Sequence, residues 1–371
     1  AQLLREAEAR NPQYCFPNRL EEIKILQFAT KKNPSGGMAP YYLGCLWYDR
    51  QQYNKAVQQW KMSSSRNPEF PTVWRNLALA SYEHTGEADL ALQYMEKAFL
   101  LDSSDARILM ELTQLYHRMG RSVQQILDFL YAHRELALSR DDLYVEYVTL
   151  LNLTGEYSRA LEMLSDHRFH PWEGGEGKVT TQYTTALIQL ARKAMQEDDV
   201  SQAKKFLMQA LHFPENLGEG RLEGEKDNHI YYELGVCEEK LGDIQAAQKN
   251  FERALAGMEE LSGMQYYNDQ PADMLLYEGL AYRKLDRENK ARECFHRLLT
   301  YGEKHYYDEV KIDYFAVSLP DLQLFHKDLN LQNRIHCVYL IGLGNLGLHR
   351  LNEAKEALNR VLEAEPSHMG A

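Results

Sequence analysis

Cysteine is scarce in this sequence and follows no pattern typical of a metal site. The five cysteines, Cys15, Cys45, Cys237, Cys294 and Cys337, are widely separated, with no Cys-x-x-Cys pair and no Cys/His spacing of a zinc site. An odd number of scattered thiols suits a reducing compartment. We therefore expect a cytoplasmic protein without a zinc site.

Long apolar runs and an excess of positive charge are also missing. No stretch approaches the ~20 apolar residues that a helix needs to span a bilayer. Lys and Arg together number 42 against 54 for Asp and Glu, which gives a formal net charge of −12. This balance disfavours nucleic-acid binding, which depends on phosphate neutralisation, and docking on anionic lipid. We expect neither nucleic acid nor membrane among the partners.

The motifs that commonly carry catalysis or cofactor binding are absent or incomplete. There is no HExxH, no GxSxG and no EF-hand loop. Gly342-x-Gly344-x-x-Gly347 matches a dinucleotide-binding fingerprint by letter, but that site needs a βαβ unit of ~30 residues and an acidic residue ~20 further on. The residues after Gly347 instead indicate a helix that ends at Pro366. We therefore predict no cofactor and no metal.

The sequence does contain a repeated pair of amphipathic helices. In residues 41–68, the small Gly44 and Ala56 stand where two helices touch, large apolar residues recur around them at helical spacing, and Pro68 ends the unit. Eight such units start near Gly37, Pro71, Ala106, Asp141, Thr184, Asn228, Ala272 and Ile335. The first four starts are 34, 35 and 35 residues apart, and the later gaps are 43, 44, 44 and 63.

This pattern resembles the tetratricopeptide repeat, a unit of ~34 residues with small residues at fixed positions. The resemblance implies an all-α fold: a right-handed superhelical solenoid of about eight helix pairs, with long inter-repeat loops in the C-terminal half. We interpret residues 1–36 as degenerate or truncated repeat helices, 37–167 as regular repeats and 168–371 as repeats with inserted loops, all in one solenoid. Because the chain begins inside a helix, we expect it to be a piece of a longer protein.

The resemblance also implies a binding face. Tetratricopeptide arrays commonly bind peptides on a concave face lined by the first helix of each repeat. Asn76 and Arg107 fall at places similar to the carboxylate clamp of the chaperone-binding subfamily, whereas Tyr41 and Cys45 replace its first Lys and Asn. The aromatic and basic residues expected in this groove are Tyr41, Tyr48, Arg75, Tyr82, Arg107 and His117. An exposed helix face without a ligand remains the alternative.

Four inserts lengthen the later repeats: Phe169–Lys178, Pro214–His229, Gly263–Asp273 and Gly302–Arg334. Each leaves the second helix of one unit and enters the first helix of the next. In a solenoid, insertions at one point of each unit emerge on the same edge. We therefore predict one contiguous surface built from all four inserts.

The inserts combine aromatic rings with carboxylates and amides, residue types that suit a sugar ring or a protein partner. The candidate binding residues are Trp172, Glu173, Asn216, Asp227, His229, Tyr266, Tyr267, Asn268, Asp269, Tyr306, Tyr307, Asp308, Lys311 and Asp313. A structural interpretation stays open, in which Asp227, Asn228 and Asp269 cap helices and the tyrosines pack the loops onto the array.

The loop sequences HPWEGGEGK, FPENLGEGRLEGEKDNH, YYNDQPADM and VKIDYFAVSLPDLQLF resemble the C-terminal region of a family of large bacterial proteins. In that family, the tetratricopeptide array follows an N-terminal β-sandwich domain of unknown function that looks similar to sugar-binding mutarotase-type folds. The resemblance implies that such a domain precedes this chain. It supplies no catalytic residues for this region.

Two functional hypotheses follow. The first is a non-catalytic protein-interaction scaffold that docks a partner or its own N-terminal domain, with carbohydrate as a further candidate ligand. The second is an accessory part of a carbohydrate-active enzyme, in which Glu173, Asp227, Asp269 or Asp308 completes a site shared with that domain. For this chain alone we predict no enzymatic activity.

Overall fold

The computed structural model describes residues 2–172, 174–221, 226–257, 261, 270–311, 325 and 328–371. Within these ranges the protein is all-α and contains no strand, which confirms the predicted fold class. The α-helices, numbered α1 to α19 in chain order, are Gln2–Glu8, Leu20–Lys32, Met38–Asp49, Tyr53–Arg66, Pro71–Ala80, Ala88–Leu101, Ala106–Arg118, Val123–Ala132, Arg134–Ala137, Asp141–Leu153, Tyr157–Asp166, Lys178–Gln196, Val200–Ala210, Asn228–Lys240, Ile244–Arg253, Met274–Lys284, Glu288–His305, Leu329–Gly347 and Leu351–Ala364. A π-helical turn at Ser81–Thr85 extends α5, and a 3₁₀ turn at Glu215–Leu217 lies in the second insert.

Seven helix pairs that follow the predicted units pack within one compact unit each. They are α3/α4, α5/α6, α10/α11, α12/α13, α14/α15, α16/α17 and α18/α19, and the third predicted unit corresponds to α7 and α8 in chain order. In α14/α15 and α16/α17, a glycine of the first helix meets a phenylalanine of the second: a Cβ on Gly235 would collide with the Phe251 ring, and one on Gly279 with the Phe295 ring. The small residues seen in sequence are therefore close-approach positions between paired helices.

The turn inside each predicted unit has one backbone geometry. Each of the eight turns contains a residue with a left-handed φ: Gln51, Gly86, Gly120, Gly155, Asp198, Gly242, Asp286 and His349. With a residue in this conformation, the backbone N–H groups that follow the first helix can donate hydrogen bonds to the last carbonyls of that helix, and the chain then turns into the second helix. The recurrence of this conformation shows that the degenerate units share the geometry of the regular ones.

Some helix boundaries differ from those read in the sequence. Helix α12 begins at Lys178, ahead of the predicted unit start at Thr184, and α18 begins at Leu329, ahead of Ile335. Gly302, expected to open the fourth insert, lies inside α17, where a Cβ would meet the Cys337 carbonyl oxygen and Ile341. A glycine that permits close packing within a helix was thus mistaken for a helix end.

The glycines of the apparent dinucleotide fingerprint all lie in α18. A Cβ on Gly342 would meet Leu358, one on Gly344 would meet Leu299, and one on Gly347 would enter the Phe295 ring. These glycines bring α18 close to α17 and α19, so the motif is part of a helix-packing face.

The chain packs as two compact units. Unit 1 comprises Ala1–Arg121, Leu130–Arg140 and Gln323–His326, and unit 2 comprises Ser122–Phe129, Asp141–Leu322 and Lys327–Ala371. One core cluster of unit 1 is built from Ala56, Trp60, Val73, Leu77 and Ala80. One core cluster of unit 2 includes Phe295, Leu298, Leu340 and Val361. No helix of the described residues is both long enough and apolar enough to cross a membrane.

Candidate functional site

The first helices of unit 1 carry a buried ion pair in the expected groove. Arg75 on α5 donates from Nε to Glu111 Oε2 on α7 at 2.6 Å, and its Nη2 donates to the other carboxylate oxygen. The Glu111 side chain is fully buried and that of Arg75 is 14% exposed. Burial alone would lower the pKa of Arg75, but Glu111 raises it above its ordinary value. The Arg75 guanidinium therefore already has an ion-pair partner within the protein, the Glu111 carboxylate.

The neighbouring groove residues are also hydrogen-bonded to one another. Arg75 Nη1 donates to Asn76 Oδ1 at 3.2 Å, and Asn76 Nδ2 lies 3.8 Å from Cys45 Sγ. Burial raises the pKa of Tyr41 and raises that of Cys45 to about 11, so both remain protonated at neutral pH. These contacts make the start of the groove a preorganised, largely neutral surface.

A second aromatic group follows along the groove. His84 Nε2 lies 3.0 Å from Tyr48 Oη, and the His84 ring stacks on Tyr53 with 3.5 Å between ring centroids. Burial raises the pKa of Tyr48. Arg107 is half exposed and lies 4.0 Å from Asp105, the residue that caps α7, while His117 is partly buried at the far end of that helix.

Unit 1 also contains a socket that holds an aromatic side chain from a distant part of the chain. Phe325 is 1% exposed and packs edge-on against Tyr82 with 5.1 Å between ring centroids. Arg118 Nη2 donates to the Phe325 carbonyl oxygen at 2.8 Å, and its guanidinium lies 5.5 Å from the Phe325 ring centroid. We call Tyr82, Arg118 and their surroundings the Phe325 socket. It holds one ring and the main-chain carbonyl of the same residue.

The first helices of unit 2 carry a second polar groove. Arg192 on α12 donates from Nε to Glu233 Oε1 on α14 and from Nη2 to Tyr277 Oη on α16, both at 3.0 Å. Tyr277 also lies near Tyr232 and His229, with ring centroids 6.0 and 5.9 Å away. Burial raises the pKa of Tyr277 although the nearby Arg192 acts in the opposite direction. Three successive repeats are therefore tied together across this groove.

Buried titratable groups continue along the same face. Tyr339 Oη on α18 donates to Asp273 Oδ2 at 3.3 Å, and burial raises the pKa of Asp273. Burial, reinforced by the charges of Arg192 and Arg221, lowers the pKa of His229 to about 4. Among the described residues, His229 Nδ1 is buried and has no hydrogen-bond partner. Burial also lowers the pKa of His336. We call this face, which runs from Gln182 on α12 to Tyr339 on α18, the unit 2 groove.

Residues 365–371 lie in the unit 2 groove. The segment turns after α19 with a hydrogen bond from His368 N to Glu365 O at 3.0 Å. The His368 ring lies 4.6 Å from the Tyr339 ring, and Met369 Sδ accepts from Gln182 Nε2 at 3.5 Å. The segment therefore contacts both α18 and α12.

The first two inserts contact each other directly. Phe169 N donates to Asn216 O at 2.8 Å, and Gly177 N donates to Glu219 Oε2 at 2.9 Å. The Asn216 side-chain amide donates to Leu164 O and His167 O, at the end of α11. Trp172 is partly exposed and lies against Gly175.

The polar residues near the start of α14 have partners within the fold. Asp227 pairs with Arg221, and burial raises the pKa of Asp227 against the opposing effect of that charge. Asn228 does not cap its own helix; its Nδ2 donates to Ala254 O and Ala256 O, after α15. These contacts anchor the second insert to the next repeat.

The fourth insert begins with an exposed aromatic residue. Tyr307 is 89% exposed and packs edge-on against the partly buried Tyr306, with centroids 4.8 Å apart. Asp308 accepts from His305 Nδ1 at 2.6 Å, and Lys311 is exposed near Glu309. The remaining candidate residues, Glu173, Tyr266, Tyr267, Asn268, Asp269 and Asp313, lie outside the described residues. The single surface predicted for the four inserts stays a prediction.

Sequence reasoning missed the groove of unit 2 and, in unit 1, the partners Glu111 and Arg118. The missed residues are Glu111, Arg118, Arg192, Glu233, Tyr277 and Tyr339. A signal was available, because Tyr339 is the fifth residue of its repeat, as Tyr41 and Arg75 are of theirs. Within the described part of the chain, no group of three or more His, Cys, Asp or Glu side chains is placed to hold a metal ion.

Comparison with known proteins agrees with the repeat architecture. The family model of the tetratricopeptide repeat matches residues 229–256. Among solved structures, YrrB, described as a tetratricopeptide protein with an unusual peptide-binding site, is 12% identical over 63% of this chain and 92% of its own, with a TM-score of 0.35. A tetratricopeptide protein from Parabacteroides merdae is 13% identical over 75% of this chain and 92% of its own, with a TM-score of 0.36. Similarity this low adds nothing beyond the repeat pattern. The described residues thus form an array of helix pairs, and one of these pairs, α14/α15, matches the tetratricopeptide repeat model.

Proposed function

We propose that the protein is a non-catalytic protein-interaction scaffold that binds extended peptide segments on the first helices of its repeats. The observation that carries the proposal is the Phe325 socket. There, an aromatic ring is buried against Tyr82 while Arg118 holds the main-chain carbonyl of the same residue. A partner peptide with an aromatic residue offers the same two groups.

The energetics favour an aromatic anchor over a polar one. Full burial of a Phe side chain contributes about 1.5–3 kcal/mol, and a hydrogen bond from a charged donor adds roughly 1.5–3 kcal/mol. The Arg75–Glu111 pair contributes rigidity and offers little to a ligand, because its charges already satisfy each other. We therefore expect partner selection to depend on the ring and the backbone more than on net charge.

Selection from a peptide display library tests this proposal. Phe325→Ala in the full chain opens the socket while leaving Tyr82 and Arg118 in place. We expect this variant to enrich peptides with Phe, Tyr or Trp, and we expect Phe325→Ala/Tyr82→Ala and Phe325→Ala/Arg118→Gln to lose them. Phe28→Ala is the matched control, because Phe28 is 59% exposed on α2. If the socket variants retain the same peptides, the groove is not the binding site.

We also propose that the inserts form a second docking surface, for a further domain of the same protein or for a carbohydrate. Support comes from the exposed ring of Tyr307 and the partly exposed ring of Trp172. The backbone hydrogen bond between the first two inserts supplies a rigid base for such a surface. Trp172→Ala and Tyr307→Ala should weaken binding on a glycan array or to the isolated upstream domain, with helix content unchanged. A large fall in melting temperature would instead assign these rings a packing role.

A further inference from the structure

We propose that residues 365–371 are an internal occupant of the unit 2 groove, and that a partner peptide of the same chemistry displaces them. The partner chemistry is a short turn-forming segment with a ring, then an unbranched side chain, then glycine. This inference extends the proposed function to a second groove. It depends on residues other than the Phe325 socket, so the two can fail separately.

The segment forms two consecutive turns, with hydrogen bonds from His368 N to Glu365 O and from Ala371 N to His368 O, and it contacts two first helices. It touches Tyr339 on α18 through His368 and Gln182 on α12 through Met369. In the repeat order, two further first helices, α14 and α16, lie between these contacts. A segment that only capped α19 would contact α18 and α19 alone.

Gly370 fixes the position of the segment relative to Tyr339 on α18. A Cβ at this position would collide with the Tyr339 hydroxyl, and Tyr339 is 7% exposed in the core of unit 2, so its ring cannot easily move aside. Ala371 packs against the same core cluster. The groove therefore accepts a residue without a side chain at this point, which is a specificity element for any competing peptide.

The segment remains displaceable because much of it faces solvent. Met369 is 36% exposed, and Gly370 is exposed as well. Within the described residues, the buried Nδ1 of His229, which belongs to the groove and not to the segment, has no hydrogen-bond partner. Because buried polar atoms are almost always satisfied in folded proteins, this atom favours a ligand with an additional polar group.

A synthetic peptide provides the test. The probe is a fluorescently labelled heptapeptide with the sequence of residues 365–371, EPSHMGA. Gly370→Leu in the full chain should expel the internal segment, and Gly220→Leu is the matched control because a Cβ at Gly220 meets nothing within 4 Å. A tethered segment acts at an effective concentration of ~1 mM or more. We therefore expect the probe to bind Gly370→Leu at least tenfold more tightly than the natural chain or the control.

Two further readouts decide the outcome. Hydrogen exchange at residues 367–371 should accelerate in Gly370→Leu alone, and a probe with Leu in place of Gly should lose binding to that variant. The proposal is overturned if the probe shows no saturable binding to Gly370→Leu up to about 1 mM. The proposal is also overturned if the probe binds the natural chain, Gly370→Leu and Gly220→Leu equally well. The same holds if the Leu-containing probe binds Gly370→Leu as well as the original probe does, or if hydrogen exchange at residues 367–371 is unchanged in that variant.

Discussion

The Arg75–Glu111 pair allows a quantitative prediction. Replacing Arg75 by Met leaves the fully buried Glu111 carboxylate without its bidentate partner. Removing one member of a buried ion pair typically costs 3–5 kcal/mol, because the remaining charge is uncompensated. We expect Arg75→Met to lower the free energy of unfolding by about 3 kcal/mol or more.

The double variant separates an unpaired charge from lost packing. Arg75→Met/Glu111→Leu replaces both charges by apolar groups of similar size, so its stability should return to within about 1 kcal/mol of the natural chain. Arg292→Met is the surface control: Arg292 and Glu288 lie 3.8 Å apart and are 67% and 51% exposed. Such exposed pairs contribute about 0.3–0.5 kcal/mol.

Urea unfolding followed by far-UV circular dichroism measures all four proteins under the same conditions. A loss below about 1 kcal/mol for Arg75→Met would refute the reasoning, because it would place the pair among ordinary surface ion pairs. A double variant as unstable as Arg75→Met would also refute it, because packing would then explain the loss.

Three further predictions concern single residues. Gly242 has a left-handed φ, so Gly242→Ala should cost about 1–2 kcal/mol, whereas Asp286→Gly at the equivalent turn should be neutral or stabilising in a thermal melt. Asn228→Ala should cost roughly 1–3 kcal/mol in urea, because the buried Ala254 carbonyl loses its side-chain donor. Burial lowers the pKa of His229 to about 4. As the pH falls below 6.5, this histidine is therefore protonated in the unfolded chain before it is protonated in the folded protein. Stability should fall between pH 6.5 and 4, and urea midpoints at pH 7 and 5 should differ less in His229→Gln.

The repeat architecture was predictable because its small residues are visible in the sequence. Gly235 and Gly279 mark close approaches that no larger residue permits. Glycine marks only four of the eight turns in the sequence. Gln51, Asp198, Asp286 and His349 adopt the same left-handed conformation in the other four. Hydrogen bonds of the helix end, rather than residue type alone, decide that conformation.

The groove contacts were less predictable because they depend on three-dimensional neighbours. Arg75 was identified as a groove residue, but its pairing with Glu111 depends on how adjacent repeats stack. Arg118 reaches a carbonyl 207 residues away, and Gln182 reaches a sulfur 187 residues away. No local periodicity reports contacts at such separations, so these two contacts became apparent only in the fold.

The most direct test of peptide binding is a calorimetric titration of the Phe325→Ala chain with a synthetic nonapeptide of residues 321–329, DLQLFHKDL. We predict saturable binding that is at least tenfold tighter than to the natural chain, whose own Phe325 fills the socket, and that is lost in Phe325→Ala/Arg118→Gln. Equal affinity for the natural chain and Phe325→Ala, or no heat of binding to either, would contradict the peptide-binding role of this groove.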